Sequence, residues 1–223
     1  MRALFLLQLF LHTTLLGRDC SSDLEWRYQQ ECRGVSDIHE HVPVLRGLAS
    51  ECSSVVEIGL RDMRSTWGIL RGLVDSRSLN PSYLGIDINQ PGEVLSQASD
   101  CAQAHGIVFA FWHTDDLKID IPEGVDLLFI DSLHTYCHLT YELEKFSPKV
   151  RKYIAMHDTS PPWGYRDQED YHGNYTEYPR HISRAYRGLW PAVQNFLVKH
   201  PEWILKERRM NNYGFTILER ICF

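Results

Sequence analysis

The sequence lacks several features that mark well-known classes of protein. No two of its cysteines have Cys-x-x-Cys spacing, so a zinc site or a thioredoxin-type redox site has little support. No basic run stands out and the formal net charge is -6, which disfavours nucleic acid as a partner on electrostatic grounds. The sequence also has no internal repeat and no low-complexity tract. These absences favour an ordinary globular protein.

The length and composition fit one globular domain. The chain has 223 residues, of which 43% are hydrophobic and 23% are charged, enough for a sizeable core. We expect a leader at 1–17, a linker or loose extension at 18–36, and a single domain at 37–223. Residues 159–181 are rich in proline, glycine, tyrosine and charge and have no periodicity, so we expect them to form an irregular insertion.

The leader at 1–17 has one basic residue followed by a nearly unbroken apolar run, which is the layout of a secretory signal peptide. It is shorter than the roughly 20 apolar residues that a spanning helix needs. Leu15 stands where a small residue is expected before a cleavage site, so the alternatives are an uncleaved N-terminal anchor and a plain amphipathic helix. We expect a secreted or secretory-pathway protein with no stable membrane span beyond the leader; the alternative is a cytoplasmic protein.

Two further features fit a secreted protein. Asn174-Tyr175-Thr176 is a sequon for glycosylation. The cysteines form an even set, which suggests disulfides, although the sequence does not choose among the possible pairings. They are Cys20, Cys32, Cys52, Cys101, Cys137 and Cys222.

The organising stretch of the chain contains two short apolar runs, at 125–130 and 153–156. Between them, residues 136–146 carry apolar side chains at helical spacing. This order predicts a strand, a helix and a strand. Two buried strands joined by a helix are parallel neighbours, so their carboxyl ends open at the same edge of the sheet.

Ionisable residues follow both of these strands. Asp131 and His134 come after the first, and His157 and Asp158 come after the second. Because ligands bind at this edge of open α/β sheets, we expect the four side chains to converge in a functional site. The alternative is that the aspartates only cap the segments that follow, and that the histidines make structural contacts.

The rest of the chain continues the alternation of strands and helices. We predict helices at 37–49, 65–73, 92–105 and 181–200, and strands at 54–59, 83–88, 107–112, 203–209 and 215–219. The predicted fold class is therefore α/β, with a doubly wound, mainly parallel, Rossmann-like sheet and a C-terminal antiparallel hairpin.

The turn after the first strand has a single glycine, Gly59. A dinucleotide site generally needs several glycines there so that the backbone can approach a pyrophosphate, which disfavours a nicotinamide-dependent oxidoreductase. A ligand without phosphate relaxes that demand. Ser65 or Thr66 can cap the following helix. Asp87 ends the second strand, in the usual place for an acid that binds a ribose diol, with a loop or cap residue as the alternative.

An ordered set of motifs resembles the class I S-adenosylmethionine-dependent methyltransferases. The likeness is to the branch of small O-methyltransferases that act on sugars and antibiotics, which is related to the cephalosporin hydroxylase-like proteins. The matching pieces run from residue 36 to residue 218 and read SDIHEHVPVLRGLASECSSVVEIGLR, STWGIL, YLGIDI, VDLLFIDSLHTY, KVRKYIAMHDT and NNYGFTIL.

This resemblance implies a set of cofactor contacts. The residues around the methionine part of S-adenosylmethionine would be Glu57, Gly59, Ser65 and Thr66. Asp87 would hold the ribose hydroxyls, and Asp115 would lie near the adenine. Arg64 departs from the pattern, because many relatives have a small residue at this position.

A likeness to the metal-dependent O-methyltransferases, such as the catechol type, implies a divalent cation. Mg²⁺ or another ion would bind Asp131, His157 and Asp158, although histidine is a softer ligand than Mg²⁺ usually takes. His134 matches the position of a lysine that takes the substrate proton in that family. His134 and Asp131 are therefore the expected catalytic residues, with His134 titrating near neutral pH.

The expected function is O-methyl transfer from S-adenosylmethionine to a hydroxylated small molecule or sugar. Tyr165, Arg166 and His172 of the insertion are candidate contacts for that acceptor. The alternative is a non-catalytic, secreted binding module on the same scaffold. The sequence does not determine the oligomeric state.

Overall fold

The computed structural model describes residues 20–168 and 178–221, with side chains from Leu24 onward. The leader at 1–17, His172, Asn174 and Cys222 lie outside the described residues. Within this part of the chain, none of the helices combines the length and the apolar character needed to cross a membrane.

Helices and strands alternate along most of the described chain. In order they are α1 (Cys20–Arg33), α2 (Val42–Ala49), β1 (Ser54–Ile58), α3 (Arg64–Asp75), β2 (Ser82–Asp87), α4 (Glu93–Ala104), β3 (Val108–His113), β4 (Val125–Ile130), α5 (Tyr136–Phe146), β5 (Val150–His157), α6 (Leu189–Lys199), β6 (Trp203–Arg209) and β7 (Phe215–Arg220). Short 3₁₀ turns at Asp116–Lys118 and Ser147–Lys149 precede β4 and β5.

The described strands form one sheet in the order β3-β2-β1-β4-β5-β7-β6. The first five strands of this order are parallel, and β7 runs antiparallel to both β5 and β6. The predicted fold class, a doubly wound, mainly parallel sheet with a C-terminal antiparallel hairpin, is confirmed.

Helices cover both faces of the sheet, and each face has its own core. On one face, Leu24, Leu45, Leu70 and Ala98 from the first four helices pack against the strands. On the other face, α5 and α6 contribute the buried residues Leu139, Leu143, Phe146, Val193 and Phe196. The middle strand β4 is buried along its whole length, as expected for a strand covered on both sides.

The boundaries of the organising stretch match the prediction for β4 and α5, whereas β5 is longer and includes His157 as its last residue. Two predicted helices begin later than expected. The first starts at Val42 because Pro43 is tolerated only in the first turn of a helix. The second starts at Leu189, after Gly188 in a left-handed conformation.

The prediction of a linker at 18–36 is wrong, because residues 20–33 form α1. Leu24 and Tyr28, one turn apart, are the buried apolar residues among the described side chains of this helix. Ion pairs hold its polar side to α3: the Arg71 Nε to Glu25 Oε2 distance is 2.6 Å, and the Arg64 Nη1 to Glu31 Oε2 distance is 3.0 Å. A helix with few buried apolar residues and several charged contacts gives a weak hydrophobic pattern.

The expectation of disulfides is wrong for three of the cysteines. Cys32, Cys52 and Cys137 are thiols that form no disulfide. Burial raises the pKa of the Cys52 thiol to about 12, so this side chain behaves as a small apolar group in the core.

Glycines let α2 and α3 approach each other closely. A Cβ atom at Gly72 would lie 2.3 Å from the carbonyl oxygen of Arg46, and one at Gly68 would lie 2.7 Å from the carbonyl oxygen of Val42. A Cβ atom at Gly47, which is in α2, would meet no atom of another part of the protein within 4 Å. The packing of these helices therefore depends on Gly68 and Gly72 and not on Gly47.

We predict opposite effects for two glycine-to-alanine substitutions. Gly72→Ala should lower the free energy of unfolding by about 1–3 kcal/mol, because it forces a methyl group against the α2 backbone. Gly47→Ala, the matched control, should raise it by up to about 1 kcal/mol through helix propensity alone. Denaturant unfolding of both variants measures the difference, and equal effects would contradict the close helix contact.

Candidate functional site

The carboxyl ends of β1, β2 and β4 lie side by side. The backbone N–H of Gly59 donates to the carbonyl of Ile86 at 2.9 Å, and that of Asp131 donates to the carbonyl of Ile58 at 2.8 Å. The loop after β1 therefore lies between Asp87 on one side and Asp131 on the other, at one edge of the sheet.

Gly59 has a structural reason to be glycine. Its φ is +83°, a conformation that side chains disfavour, and a Cβ atom there would lie 2.1 Å from the carbonyl oxygen of Asp131. The close contact between the two loops, rather than a ligand, already requires glycine at this position.

Four side chains form an imidazole–carboxylate cluster, defined as Asp131, His134, His157 and Asp158. His134 Nε2 lies 2.9 Å from Asp158 Oδ2 and 3.7 Å from Asp131 Oδ1. His157 Nδ1 lies 3.2 Å from Asp158 Oδ2 and 3.4 Å from Asp131 Oδ1. The predicted convergence of these residues is confirmed.

His157 donates hydrogen bonds from both ring nitrogens. Nδ1 faces the two carboxylates, and Nε2 donates to the carbonyl of Asn212 at 3.1 Å. Burial alone would lower the pKa of His157, but the charge of Asp131 raises it well above the usual value. His157 is therefore a buried cation that fixes the positions of both aspartates.

His41, which the sequence did not mark as part of the site, lies behind His157. The ring centroids are 5.7 Å apart, and His41 Nε2 lies 3.1 Å from the carbonyl oxygen of Asn211. Burial and the charge of His157 lower the pKa of His41 to about 4, so His41 is neutral and donates to the turn before β7. His41 lies just before α2, and nothing in the sequence near it indicates a contact with the turn at Asn211.

The cluster separates the pKa values of its acids and imidazoles. Burial alone would raise the pKa of Asp131, but the charge of His157 and the hydrogen bond with His134 bring it well below its usual range. Burial alone would lower the pKa of His134, but its hydrogen bonds with Asp131 and Asp158 raise it to about 9. The expectation that His134 titrates near neutral pH is therefore wrong for the protein without ligands.

Asp158 is held in an uncommon backbone conformation. Its φ is 58°, in the left-handed region that non-glycine residues seldom adopt. Its carboxylate is nearly buried and meets both histidines. Backbone strain of this kind occurs at functional sites, where the surrounding structure maintains it.

The donor set for a cation differs from the predicted one. Oxygen and nitrogen ligand atoms of Asp131, His134 and Asp158 all lie within 4.8 Å of one another. His157 was predicted as a ligand, but its Nε2 is directed at a loop carbonyl and its Nδ1 lies against the carboxylates. The geometry thus places His134 in the set in place of His157.

Glu57 lies inside the protein beneath the loop after β1. Its carboxylate accepts hydrogen bonds from the hydroxyls of Ser65, Thr66 and Tyr83, with a Thr66 Oγ1 to Glu57 Oε2 distance of 2.7 Å. Burial raises the pKa of Glu57 to about 7. Three of the predicted cofactor contacts therefore bond to one another. Tyr83 was not predicted, because its side chain follows the ordinary apolar pattern of β2.

The expected cap at Ser65 or Thr66 is wrong. Helix α3 begins at Arg64, and the residue before it, Met63, has a φ of 60° and makes no side-chain cap. Both hydroxyls donate to Glu57. Ser65 and Thr66 lie within the first turn of α3 and are buried, and their hydroxyls are directed at the Glu57 carboxylate, a strong charged acceptor.

Asp87 and Asp115 are neighbours that already have backbone partners. Asp87 Oδ2 accepts from the N–H groups of Leu60 at 2.7 Å and Arg61 at 3.1 Å. Asp115 Oδ1 accepts from Leu117 N–H at 2.9 Å, which caps a 3₁₀ turn. The Thr114 N–H donates to the Asp87 carbonyl at 2.9 Å, so the predicted ribose and adenine acids lie at the same end of the sheet.

A cavity lies beside the imidazole–carboxylate cluster. Its lining includes Asp131, His134 and His157 together with the apolar side chains Leu139, Met156 and Leu189. Glu57, Asp87 and Asp115 do not line it. The cavity is about the size of a water molecule, and it lies beside Asp131 and His134, the expected catalytic residues, rather than beside the expected cofactor contacts.

The start of the insertion packs against the cluster. The His134 and Trp163 rings stack with centroids 5.8 Å apart, and Arg166 lies 5.3 Å from the Trp163 ring centroid. Gln168 N–H donates to the His134 carbonyl at 2.9 Å. Tyr165, predicted to meet an acceptor, is exposed, and its hydroxyl accepts from Arg208 at 3.2 Å.

Comparisons with known proteins identify the fold. The O-methyltransferase of Bacillus cereus, solved in complex with S-adenosylhomocysteine (SAH), superposes with a TM-score of 0.55 at 15% identity, covering 95% of this chain and 96% of that one. TomG of Streptomyces achromogenes, an O-methyltransferase involved in tomaymycin synthesis and solved with SAM, gives a TM-score of 0.55 at 14% identity, covering 96% and 95%. The SAH-bound Podospora anserina methyltransferase PaMTH1 gives 0.50 at 11%, covering 100% and 97%.

No protein-family model and no curated protein matches the sequence. The structural likeness at these identities shows the fold, and the chain has the class I methyltransferase fold. The resemblance inferred from the ordered motifs is confirmed at that level.

The raised pKa of His134 predicts how stability depends on pH. A protonated His134 stabilises the fold fully below its unfolded-state pKa of about 6.5, and this contribution is lost as the pH rises through about 9. Urea unfolding of the wild type and of His134→Gln, with EDTA present to remove cations, should show a stability difference that is largest below pH 6.5 and shrinks toward pH 9. A difference that grows over this range would contradict the assignment.

Proposed function

We propose that the protein is an S-adenosylmethionine-dependent O-methyltransferase that acts on a hydroxylated small molecule or sugar. The observation that carries the proposal is the imidazole–carboxylate cluster, which lies beside a cavity at the carboxyl edge of a sheet with the class I methyltransferase fold. The proposal also draws on the solved O-methyltransferases of that fold whose structures contain SAM or SAH.

Several described residues fit the cofactor. Asp87 ends β2 at the position expected for the ribose, and a loop with one glycine suits a ligand that has no phosphate. Arg64, which departs from the pattern, pairs through its guanidinium with Glu31 of α1 at 3.0 Å and lies 4.0 Å from Asp62 of the loop. Met63 packs in the core with Trp67. We propose that the cofactor binds at the loop between Gly59 and Met63, across from Asp87.

S-adenosylmethionine supplies an electrophilic methyl group on a sulfonium, and the residues must align an acceptor hydroxyl and remove its proton. In our proposal Asp131 orients the hydroxyl and His134 receives the proton. Since the pKa of His134 is raised to about 9, only the deprotonated fraction acts as a base. The rate is therefore expected to rise with pH toward about 9 when no cation is bound.

The same side chains also suit a divalent cation such as Mg²⁺. The converging donor atoms of Asp131, His134 and Asp158 would hold the cation. The cation would take the place of the proton that His134 carries when no cation is bound. A bound cation lowers the pKa of a hydroxyl that contacts it. His134 cannot be a ligand and a base at once, so the pH dependence of the rate with and without Mg²⁺ distinguishes these two roles.

A specific observation favours a second candidate, a non-catalytic binding module on this scaffold. Both carboxylate oxygens of Asp87 already accept backbone hydrogen bonds, from Leu60 and Arg61 on one side and from Asn89 at 2.7 Å on the other. This candidate also suits the proposed secretory leader, since the cofactor is made in the cytosol and is scarce outside it.

Calorimetric titration with SAH separates the two candidates. An O-methyltransferase should bind SAH, and Asp87→Ala should weaken binding about tenfold or more, because hydrogen bonds to a charged group contribute about 1.5–3 kcal/mol. Asp131→Asn, at the acceptor side, should keep SAH affinity while it abolishes methyl transfer. Asp120→Asn serves as a control, because Asp120 pairs with Lys149 at the opposite end of β4.

The outcomes of this titration are distinct. If neither SAM nor SAH binds the wild type, with or without Mg²⁺, the methyltransferase proposal is refuted and the binding-module candidate gains. If Asp87→Ala and Asp120→Asn change the affinity for SAH equally, the cofactor does not use Asp87.

A further inference from the structure

A second group of ionisable side chains lies on and beside α5. It shares no residue with the imidazole–carboxylate cluster, although Glu142 lines the cavity beside that cluster. We call Asp116, His138 and Glu142 the inner triad. His138 and Glu142 are one turn apart on α5 and share a face of the helix, and Asp116 begins the 3₁₀ turn that follows β3. The triad thus joins two segments that are distant in the sequence.

The three side chains are close together and removed from solvent. His138 Nε2 lies 3.2 Å from Asp116 Oδ2 and 3.7 Å from Glu142 Oε1. Glu142 is fully buried, and Asp116 and His138 are 7% and 5% exposed. One ligand atom of each residue lies within 4.8 Å of the others.

Each member of the inner triad has a buried polar atom without a hydrogen-bond partner. These atoms are Asp116 Oδ2, His138 Nε2 and Glu142 Oε2. The 3.2 Å approach of Asp116 and His138 does not have the geometry of a hydrogen bond. Buried polar atoms are nearly always bonded, so three unsatisfied atoms on three adjacent side chains indicate a missing partner.

Two other polar atoms of the triad, His138 Nδ1 and Glu142 Oε1, have partners that orient them. His138 Nδ1 lies 3.0 Å from the Tyr178 hydroxyl, and the Ser132 hydroxyl donates to Glu142 Oε1 at 2.7 Å. In metal sites, the second nitrogen of a ligating histidine and the ligating carboxylates are held in this way by outer hydrogen bonds. The inner triad therefore has both an open centre and a supporting shell.

We propose that Asp116, His138 and Glu142 bind a divalent transition-metal ion of the Zn²⁺ class. One imidazole nitrogen and two carboxylates are a donor set that Zn²⁺ accepts, and the nitrogen disfavours Mg²⁺ and Ca²⁺. The ion neutralises two buried carboxylates and gives each unsatisfied atom a partner. It also ties the turn after β3 to α5, which is a structural role independent of the proposed methyl transfer.

The competing account is a buried ion pair in which His138 is protonated between the two acids. That account needs no metal. It leaves the unsatisfied atoms as they are, and it predicts that added Zn²⁺ does not change the stability of the protein. The two accounts therefore differ in a measurable way.

The experiment must remove metal-binding side chains from the imidazole–carboxylate cluster, because that cluster also has donors that suit a cation. We start from the full chain carrying Asp131→Asn and His134→Gln, strip it with EDTA and dialyse it. Zn²⁺ bound at equilibrium is then counted by mass spectrometry of the metal, and the melting temperature is measured with and without Zn²⁺. Co²⁺ absorbs visible light more strongly in a four-coordinate protein site than as the hydrated ion, so its spectrum reports binding in such a site.

The double variant should bind one equivalent of Zn²⁺ and melt several degrees higher with it, since a ligand that binds only the folded state stabilises that state. Adding Glu142→Gln, which keeps the shape of the side chain, should remove that equivalent, the Zn²⁺-dependent shift and the Co²⁺ spectrum. A matched addition of Glu144→Gln, a partly buried residue of α5 that pairs with His181 and Lys199 and not with the triad, should leave all three unchanged.

Two results would overturn the proposal. One is a double variant that binds no Zn²⁺, which would establish the ion-pair account. The other is an equivalent of Zn²⁺ that survives Glu142→Gln, which would place the ion elsewhere. Circular dichroism of the variants without metal tests whether each is folded. The affinity for SAH is measured separately, so that the outcome for Zn²⁺ remains distinct from the test of methyl transfer.

Discussion

The candidate site depends on the mutual neutralisation of two carboxylates and two imidazoles in one nearly buried space. A single buried charge is costly, and each of these groups is tolerated because the others are present. His157 is the centre of the arrangement, since it bonds to Asp131 and Asp158 through one nitrogen and to the Asn212 carbonyl through the other. The cluster is therefore anchored both to the central strands and to the turn of the C-terminal hairpin.

The topology of the sheet supplies the positions that this chemistry needs. Strands β4 and β5 are parallel neighbours, so residues that follow them in sequence meet at one edge, and β1 lies on the other side of β4. The hairpin strand β7 pairs with β5 and places Asn212 beneath His157. The contact that requires Gly59 then joins the loops after β1 and β4, which brings the proposed cofactor side and acceptor side within one edge.

The parts of the fold that could be predicted from the sequence are those with strong local periodicity. The run at 125–130 and the helix at 136–146 were placed at their observed bounds, and the convergence of Asp131 with His157 followed from the parallel connection. Helix α1 was missed because it has few buried apolar residues, and its charged side chains pair with α3. Local pattern carries no information on such contacts.

Within the site, residue types could be predicted but protonation and partners could not. The pKa of His134 depends on its distances to two aspartates that come from different strands, and His41 reaches the site through a turn about 170 positions away in the sequence. The inner triad shows the same limit. His138 and Glu142 have a spacing visible in the sequence, whereas Asp116 joins them only through the fold.

The most direct test of the account is a crystal structure of the protein with SAH. The account predicts that SAH lies over the loop after β1, with its ribose at Asp87 and its sulfur directed toward the imidazole–carboxylate cluster. SAH bound at any other surface, with the edge between Asp87 and Asp131 free of ligand, would contradict the claim that these strand ends form one site.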